Sequence, residues 1–353
     1  APIVAGGLET LLEGRGNSLR ERLHHVRFEG ITFSYNTCLL PNQDDYVSAQ
    51  SGRLRGHYPH ISAAVALSYS QGVAFDRCTF THIGSEALRF EIGSRRCAVT
   101  NCLFTDISAT GIVLESFQDR KGAPTNTYED SVNFHHPDNP DDIFSGFLIA
   151  NNTIHGVANE YYDCCGIAAG FIRDCMFAHN TLYDLPYTGI SIGWGWGSAD
   201  CSFQSAAGYN VIAANRIYDY EKWMNDGGGI YTLSAMVGTV IRDNYFSGKK
   251  GYYAGAPIYL DNGTRGVEVT NNVVSDLLDN NPAWATVNFW SGYNWLHDNW
   301  YSSKLTYHNG EGAQGDRGDK KTSVEENNHP VENFGWPEAA RIIMENAGCT
   351  FGK

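Results

Sequence analysis

A short motif returns along this chain at nearly constant spacing, and few folds can hold such a pattern. Asn or Cys, followed within two residues by strand formers, anchors at Cys78, Cys102, Asn152, Asn180, Asn215, Asn244, Asn272 and Asn299. The gaps are 24, 50, 28, 35, 29, 28 and 27 residues, the 50 holding two coils or one coil with a long loop. A second motif, a small residue and then Ile or a relative, runs out of phase at Leu88, Ile112, Ile167, Ile190, Ile230, Ile258 and Val287. Two strand signals sharing one period describe a winding solenoid. An antiparallel sandwich would not keep two motifs in phase over so many cycles, and no amphipathic helix separates the strands as βαβ alternation requires. The chain therefore reads as all-β, a parallel β-helix over residues 1–301. Polar insertions interrupt it at about 38–60 and 117–146.

Stacked coils lie about 4.8 Å apart, so aligned residues form ladders up the axis. The anchor column reads as an internal Asn ladder, with Cys78 and Cys102 as adjacent rungs, either bridged or packed as thiols. A first rung is expected at residues 26–33. Residues 302–335 lose the period and read as an irregular tail. Trp336-Pro337-Glu338 then opens a helix through Ala347, with Ile342, Ile343 and Ala347 on one face and Gly348 ending it. This helix reads as a C-terminal cap or a docking tail. The insertion at 117–146, with His135-His136-Pro137-Asp138 and Asp141-Asp142, reads as a solvated loop, with calcium binding or a substrate lip as the alternatives.

The 353-residue chain carries a net charge of −14, which argues against nucleic acid, since phosphate binding needs clustered Lys and Arg. No apolar run approaches the about 20 residues of a membrane span. The chain begins Ala1-Pro2, so a signal, propeptide or upstream domain is expected to precede it. Nine cysteines leave at least one without an intrachain partner. Asn151-Asn152-Thr153 and Asn262-Gly263-Thr264 are glycosylation sequons, a weak sign of secretion. The expected setting is extracellular or periplasmic.

Strand alternation turns the residue after each Ile-type position outward, together with the residue two further along. The outward pairs are Arg89/Glu91, Val113/Glu115, Ala168/Gly170, Ser191/Gly193, Tyr231/Leu233, Tyr259/Asp261 and Asn288/Trp290. Up the axis this face starts charged, becomes small for two coils, then turns aromatic and acidic. The small stretch reads as a hollow. Beside it, Gly193-Trp194-Gly195-Trp196-Gly197 offers two indoles suited to stacking on the apolar face of a sugar ring. Asp163 and Asp226 stand where their strands begin. Glycosidic bond cleavage needs two carboxyl groups, one to protonate the leaving oxygen and one to attack or to activate water. Asp226 and Asp261 sit on successive coils at opposite ends of a short strand, and a bend at Gly227-Gly228-Gly229 would narrow that gap. Glu91 and Glu115 lie beyond the hollow, with Arg89 as a neighbour.

Three stretches carry a family resemblance. They are Pro186-Tyr187-Thr188-Gly189-Ile190 leading to Gly193-Trp194-Gly195-Trp196, Asp226-Gly227-Gly228-Gly229-Ile230-Tyr231-Thr232-Leu233, and Ile258-Tyr259-Leu260-Asp261. With the tail from Trp336 to Gly348, they make the chain resemble the right-handed parallel β-helix glycosidases of glycoside hydrolase family 141. The resemblance implies α-L-fucosidase or xylanase-type activity and two catalytic aspartates, which fall on Asp226 and Asp261. Such proteins usually carry further upstream material, often a β-sandwich. Polygalacturonase signatures are missing from the coil strands, and the central face lacks the acidic cluster and Arg of a pectate lyase. A non-catalytic carbohydrate-binding solenoid and a polysaccharide lyase remain the alternatives. The expected site comprises Asp226 and Asp261 as catalytic pair, with Trp194, Trp196, Tyr231, Tyr259, Trp290, Asp163 and Glu115 around the carbohydrate. No metal or cofactor is demanded.

Overall fold

The computed structural model describes residues 4–39, 61–114, 117, 137–194, 205–250, 255–275, 283–310 and 323–350, with the strand pair Val47–Ser48 and Arg53–Leu54. Each coil contributes one strand to each of three parallel sheets of ten strands. One coil illustrates the plan. Gly227–Thr232 lies in the first sheet, Ala235–Arg242 in the second and Tyr245–Ser247 in the third. The chain is a right-handed parallel β-helix.

The second motif forms the first sheet. Leu88, Ile112, Ile167, Ile190, Ile230 and Ile258 align in unbroken register. The next strand slides by two residues from the expected alignment. Ala285, not Val287, stands opposite Ile258, and Thr286 stands opposite Tyr259. A slip of two keeps the same residues facing inward, so hydrophobic patterning cannot detect it. The core is built from apolar rungs such as Phe33, Phe80 and Phe104, whose rings stack at 5.0 and 4.5 Å.

The anchor column becomes the Asn ladder. Asn180, Asn215, Asn244 and Asn272 each donate Nδ2 to the next rung's Oδ1 at 2.9 Å. That same oxygen accepts the backbone N–H of the rung before it, at 2.9–3.0 Å for these four. Each Asn side chain also closes on a carbonyl of an earlier coil, as Asn215 does on Phe177 at 2.9 Å. The residue before each rung has positive φ, from Arg77 at 52° to Asn151 at 59°. Left-handed backbone costs a non-glycine residue about 1 kcal/mol or more. The saturated ladder offsets that cost at every coil. Cys78 and Cys102 continue the column as free thiols, with the Cys78 N–H 3.4 Å from the Cys102 sulfur. Burial pushes the Cys102 thiol up to about 12, so it behaves as an apolar rung.

Two boundaries differ from expectation. The coils do not end at residue 301, because Thr306–Asn309, Val324–Glu326 and His329–Val331 extend all three sheets. Asn328 accepts from Asn299 at 2.9 Å and adds a rung that the polar, interrupted sequence concealed. The C-terminal helix, Glu338–Asn346, does not close the end of the solenoid. It lies on the outer flank of the third sheet, where Ala340 and Ala347 pack with Tyr245 and Val273. From there the tail runs back over earlier coils, with Gly348 N–H on Ala214 O and Cys349 N–H on Thr181 Oγ1. In the second insertion, Asp141 bonds Arg95 at 2.6 Å, and no cluster of three metal-ligating side chains occurs among the described residues.

Candidate functional site

On two successive coils of the first sheet, polar side chains gather into one cluster, the carboxylate corner. Gly227–Thr232 and Gly255–Leu260 pair with Tyr231 opposite Tyr259. Both tyrosines are buried, at 1% and 3% exposure, and their rings meet edge to face at 5.3 Å. Asp226 precedes the first strand and is exposed, with φ of 64°. Asp261 follows the second and is only 5% exposed.

The two acids are joined through side chains. The Tyr259 hydroxyl donates to Asp226 Oδ1 at 3.1 Å and accepts from Asn288 Nδ2 at 2.7 Å. The second Asn288 N–H donates to Asp261 Oδ1 at 2.7 Å. The Tyr231 hydroxyl donates to Asp261 Oδ2. Three hydrogen bonds thus span the two carboxylates, keeping them within the about 9.5 Å over which paired glycosidase carboxyls operate. The expected bend at the three glycines is absent, since Gly227–Thr232 is one continuous strand. Those glycines serve close approach instead. A Cβ on Gly227 would fall 2.4 Å from Thr188 Oγ1, and one on Gly228 would fall 2.5 Å from Ala256 O. Tyr259 and Asn288 bridge the gap that a bend was expected to narrow.

Burial, aided by the nearby Asp226 charge, raises the Asp261 carboxyl to about 6 against the pull of the Tyr231 and Asn288 hydrogen bonds. An amide N–H can only donate, so Oδ1, held by Asn288, cannot give a proton back along that bond. A proton on Asp261 belongs on Oδ2. Burial and both aspartates hold the Tyr259 phenol far above its ordinary range, so it remains a donor.

Behind the site lies a buried ion pair that the sequence reading did not find. Glu221 and Lys249 are 1% and 2% exposed, and their charged atoms meet at 2.8 Å. Glu221 Oε1 also accepts the Gly227 N–H at 2.8 Å, while the Tyr187 hydroxyl donates to Asp226 O at 2.8 Å. The peptide that carries Asp226 is therefore pinned on both sides. Burial lifts Glu221 to about 7, with Lys249 and the Gly227 hydrogen bond opposing. The legible signal was opposite charges one coil apart in the sequence.

Other expected residues fall elsewhere. Trp194 is 1% exposed and packs edge to face with Phe117 at 5.2 Å. Its indole fills the core and does not present a sugar-stacking face, because burying so large a ring outweighs displaying it. Ala168 and Ser191 are buried as well, so the expected hollow is covered. Trp290 does not stand opposite Asp261. It sits half-buried in a turn at φ of 57°, and its carbonyl accepts from Arg265. The two-residue slip gives its expected place to Asn288. Asp163 is half-buried in the turn before Cys164, whose thiol its charge helps to raise, with burial the larger cause. Trp196 and Glu115 lie outside the described residues. Toward the first coils of this sheet, Arg89 bonds both Glu86 and Glu91, at 2.9 and 3.0 Å, so these acids are neutralised by a cation.

No protein-family model matches the chain, and no curated protein does. One solved structure, described as a glycoside hydrolase, aligns at 25% identity with a TM-score of 0.71, covering 98% of this chain and 53% of that one. This chain thus spans about half the length of that protein. A GH136 lacto-N-biosidase from Eubacterium ramulus aligns at 11% identity and a TM-score of 0.46, over 91% of this chain and 59% of that one. The Streptococcus pneumoniae surface adhesin PfbA aligns at 12% identity and 0.45, over 93% and 82%.

Proposed function

We propose that this chain is a carbohydrate-active enzyme, a glycoside hydrolase whose carboxyl pair is Asp226 and Asp261. The observation that carries the reading is the network in which Tyr259 and Asn288 tie an exposed aspartate to a buried one with a raised affinity for protons. Paired carboxyls whose environments differ in this way divide into a proton donor and an anion. Asp261 protonates the leaving glycosidic oxygen from Oδ2. Asp226, at the exposed end, attacks the anomeric carbon or takes a proton from the attacking water. Tyr231 and Asn288 orient Asp261, and Tyr259 keeps a hydrogen bond on Asp226 throughout. The alignment with a solved glycoside hydrolase supports the same chemistry, and α-L-fucosidase or xylanase-type substrates follow from the family 141 resemblance. The action is proposed to be extracellular or periplasmic, on a polysaccharide or oligosaccharide.

The test is product release from a panel of polysaccharides and aryl glycosides by wild type, Asp226→Asn and Asp261→Asn. Cleavage of one glycan, lost by more than ~100-fold in each variant, is the expected result. Unsaturated, ultraviolet-absorbing products would replace hydrolysis with elimination. Glycan binding with no cleavage would make the chain a binding solenoid.

A further inference from the structure

Of the two indoles expected to stack on sugar, Trp194 is buried, yet an exposed aromatic pair stands near Asp226. Trp223 is 69% exposed and Tyr162 is 50% exposed. Both line one cleft of about 140 Å³, together with Asn159, Asp184, Pro186 and Lys222. Aromatic rings that line a concave site beside a few polar groups offer a ligand both apolar faces and hydrogen-bond partners.

The cleft is built on the scaffold that holds Asp226. The Trp223 and Met224 N–H groups both donate to Pro186 O, at 3.0 and 2.9 Å, and Glu221 N–H donates to Tyr187 O at 2.9 Å. Tyr187 in turn holds the Asp226 carbonyl, and Glu221 holds the Gly227 N–H. Trp223 lies three residues from Asp226, within about 11 Å along the chain. The Tyr162 side is fixed as well, since Asn159 and Tyr161 N–H groups donate to Ile107 O and Ser108 O at 3.1 and 3.0 Å. On the cleft wall, Lys222 Nζ and an Asp184 carboxylate oxygen form an ion pair. A donor and an acceptor side by side match the vicinal hydroxyls of a sugar, and the aromatic faces match its apolar C–H side.

We infer that the cleft between Trp223 and Tyr162 is a subsite that holds one neutral sugar ring of the polysaccharide, with Lys222 and Asp184 reading its hydroxyls. This rests on the carbohydrate-active reading above. Because Trp223 precedes Asp226 by only three residues, a polysaccharide seated there passes close to that carboxylate.

The experiment is affinity electrophoresis of the intact chain in gels holding xylan, xyloglucan, galactomannan or arabinogalactan. Wild type, Trp223→Ala, Trp223→Phe and Trp295→Ala are compared, the last removing an indole 43% exposed on the second sheet. At least one polysaccharide should retard wild type and Trp295→Ala equally. Trp223→Ala should bind it about tenfold more weakly, and Trp223→Phe should recover most of the loss. Equal retardation of Trp223→Ala and wild type overturns the subsite, as does failure of every polysaccharide to retard wild type. Product release by the same variants is a separate readout. A chain that binds through Trp223 but releases nothing refutes the hydrolase and keeps the subsite.

Discussion

Two corners of the same coil use buried polar groups in opposite ways. At the ladder corner, residues 152–328 repeat one side chain in one geometry, and from Asn180 onward each rung's oxygen accepts two N–H groups from the rung before. At the carboxylate corner, successive coils present different side chains, and acids sit in or beside a buried network that leaves one of them raised to about 6. Both corners tolerate left-handed residues, Asp243 before a rung and Asp226 before the strand. The difference lies in saturation. A neutral amide ladder satisfies every group and is chemically inert, whereas the carboxylate corner keeps a proton-binding group poorly solvated and only partly compensated. Repetition stabilises the solenoid, and departure from repetition leaves a carboxyl with a raised affinity for protons.

The comparison breaks most visibly at the ladder. Asn215→Leu strands the Asn180 N–H and Nδ2–H and the Phe177 carbonyl. At about 1–3 kcal/mol for each stranded group, stability should fall by about 5 kcal/mol in chemical denaturation, with substrate preference unchanged. Lys249→Met should cost about 3–4 kcal/mol, because it leaves Glu221 buried without its cation. Unlike the ladder variant, it should also loosen the Gly227 contact and lower kcat in the folded fraction. Asp226→Asn and Asp261→Asn should do the reverse of the ladder variant. Each should lose more than ~100-fold in rate, about 2.7 kcal/mol of barrier, while thermal melting barely moves.

The smallest effect concerns pH. With Asp261 as proton donor, its protonated form is active, so the rate should fall as pH rises through about 6. The Tyr231 hydrogen bond favours the ionised form and therefore lowers this value. Tyr231→Phe removes that pull, and the falling limb of the pH–rate profile should move to higher pH. A shift to lower pH would mean that Asp261 is not the donor.

Much of this is legible in the sequence. A column of Asn at one period forces stacked coils, because only stacking lets each amide reach its equivalent about 4.8 Å away. Asp226 and Asp261 were legible as acids flanking matched Ile-Tyr strands. Asn288 stood in the outward column but two residues out of place along its strand, since a two-residue slip conserves the inward pattern. Exposure was not legible at all. Trp194 and Trp223 are both indoles near glycine-rich stretches of the sequence, yet one is 1% and the other 69% exposed. What covers a face comes from insertions that obey no period.

The sequence by itself determined the solenoid, its ladder and the coils on which the two aspartates lie, because translation along an axis converts spacing directly into neighbours. Only the tertiary structure decided how those aspartates communicate. Tyr259 and Asn288 link them, Glu221 and Lys249 brace the peptide that follows Asp226, and burial sets the proton affinity of Asp261. Those relations depend on side-chain reach and on desolvation, which arise from residues brought together by the winding and carry no repeat of their own.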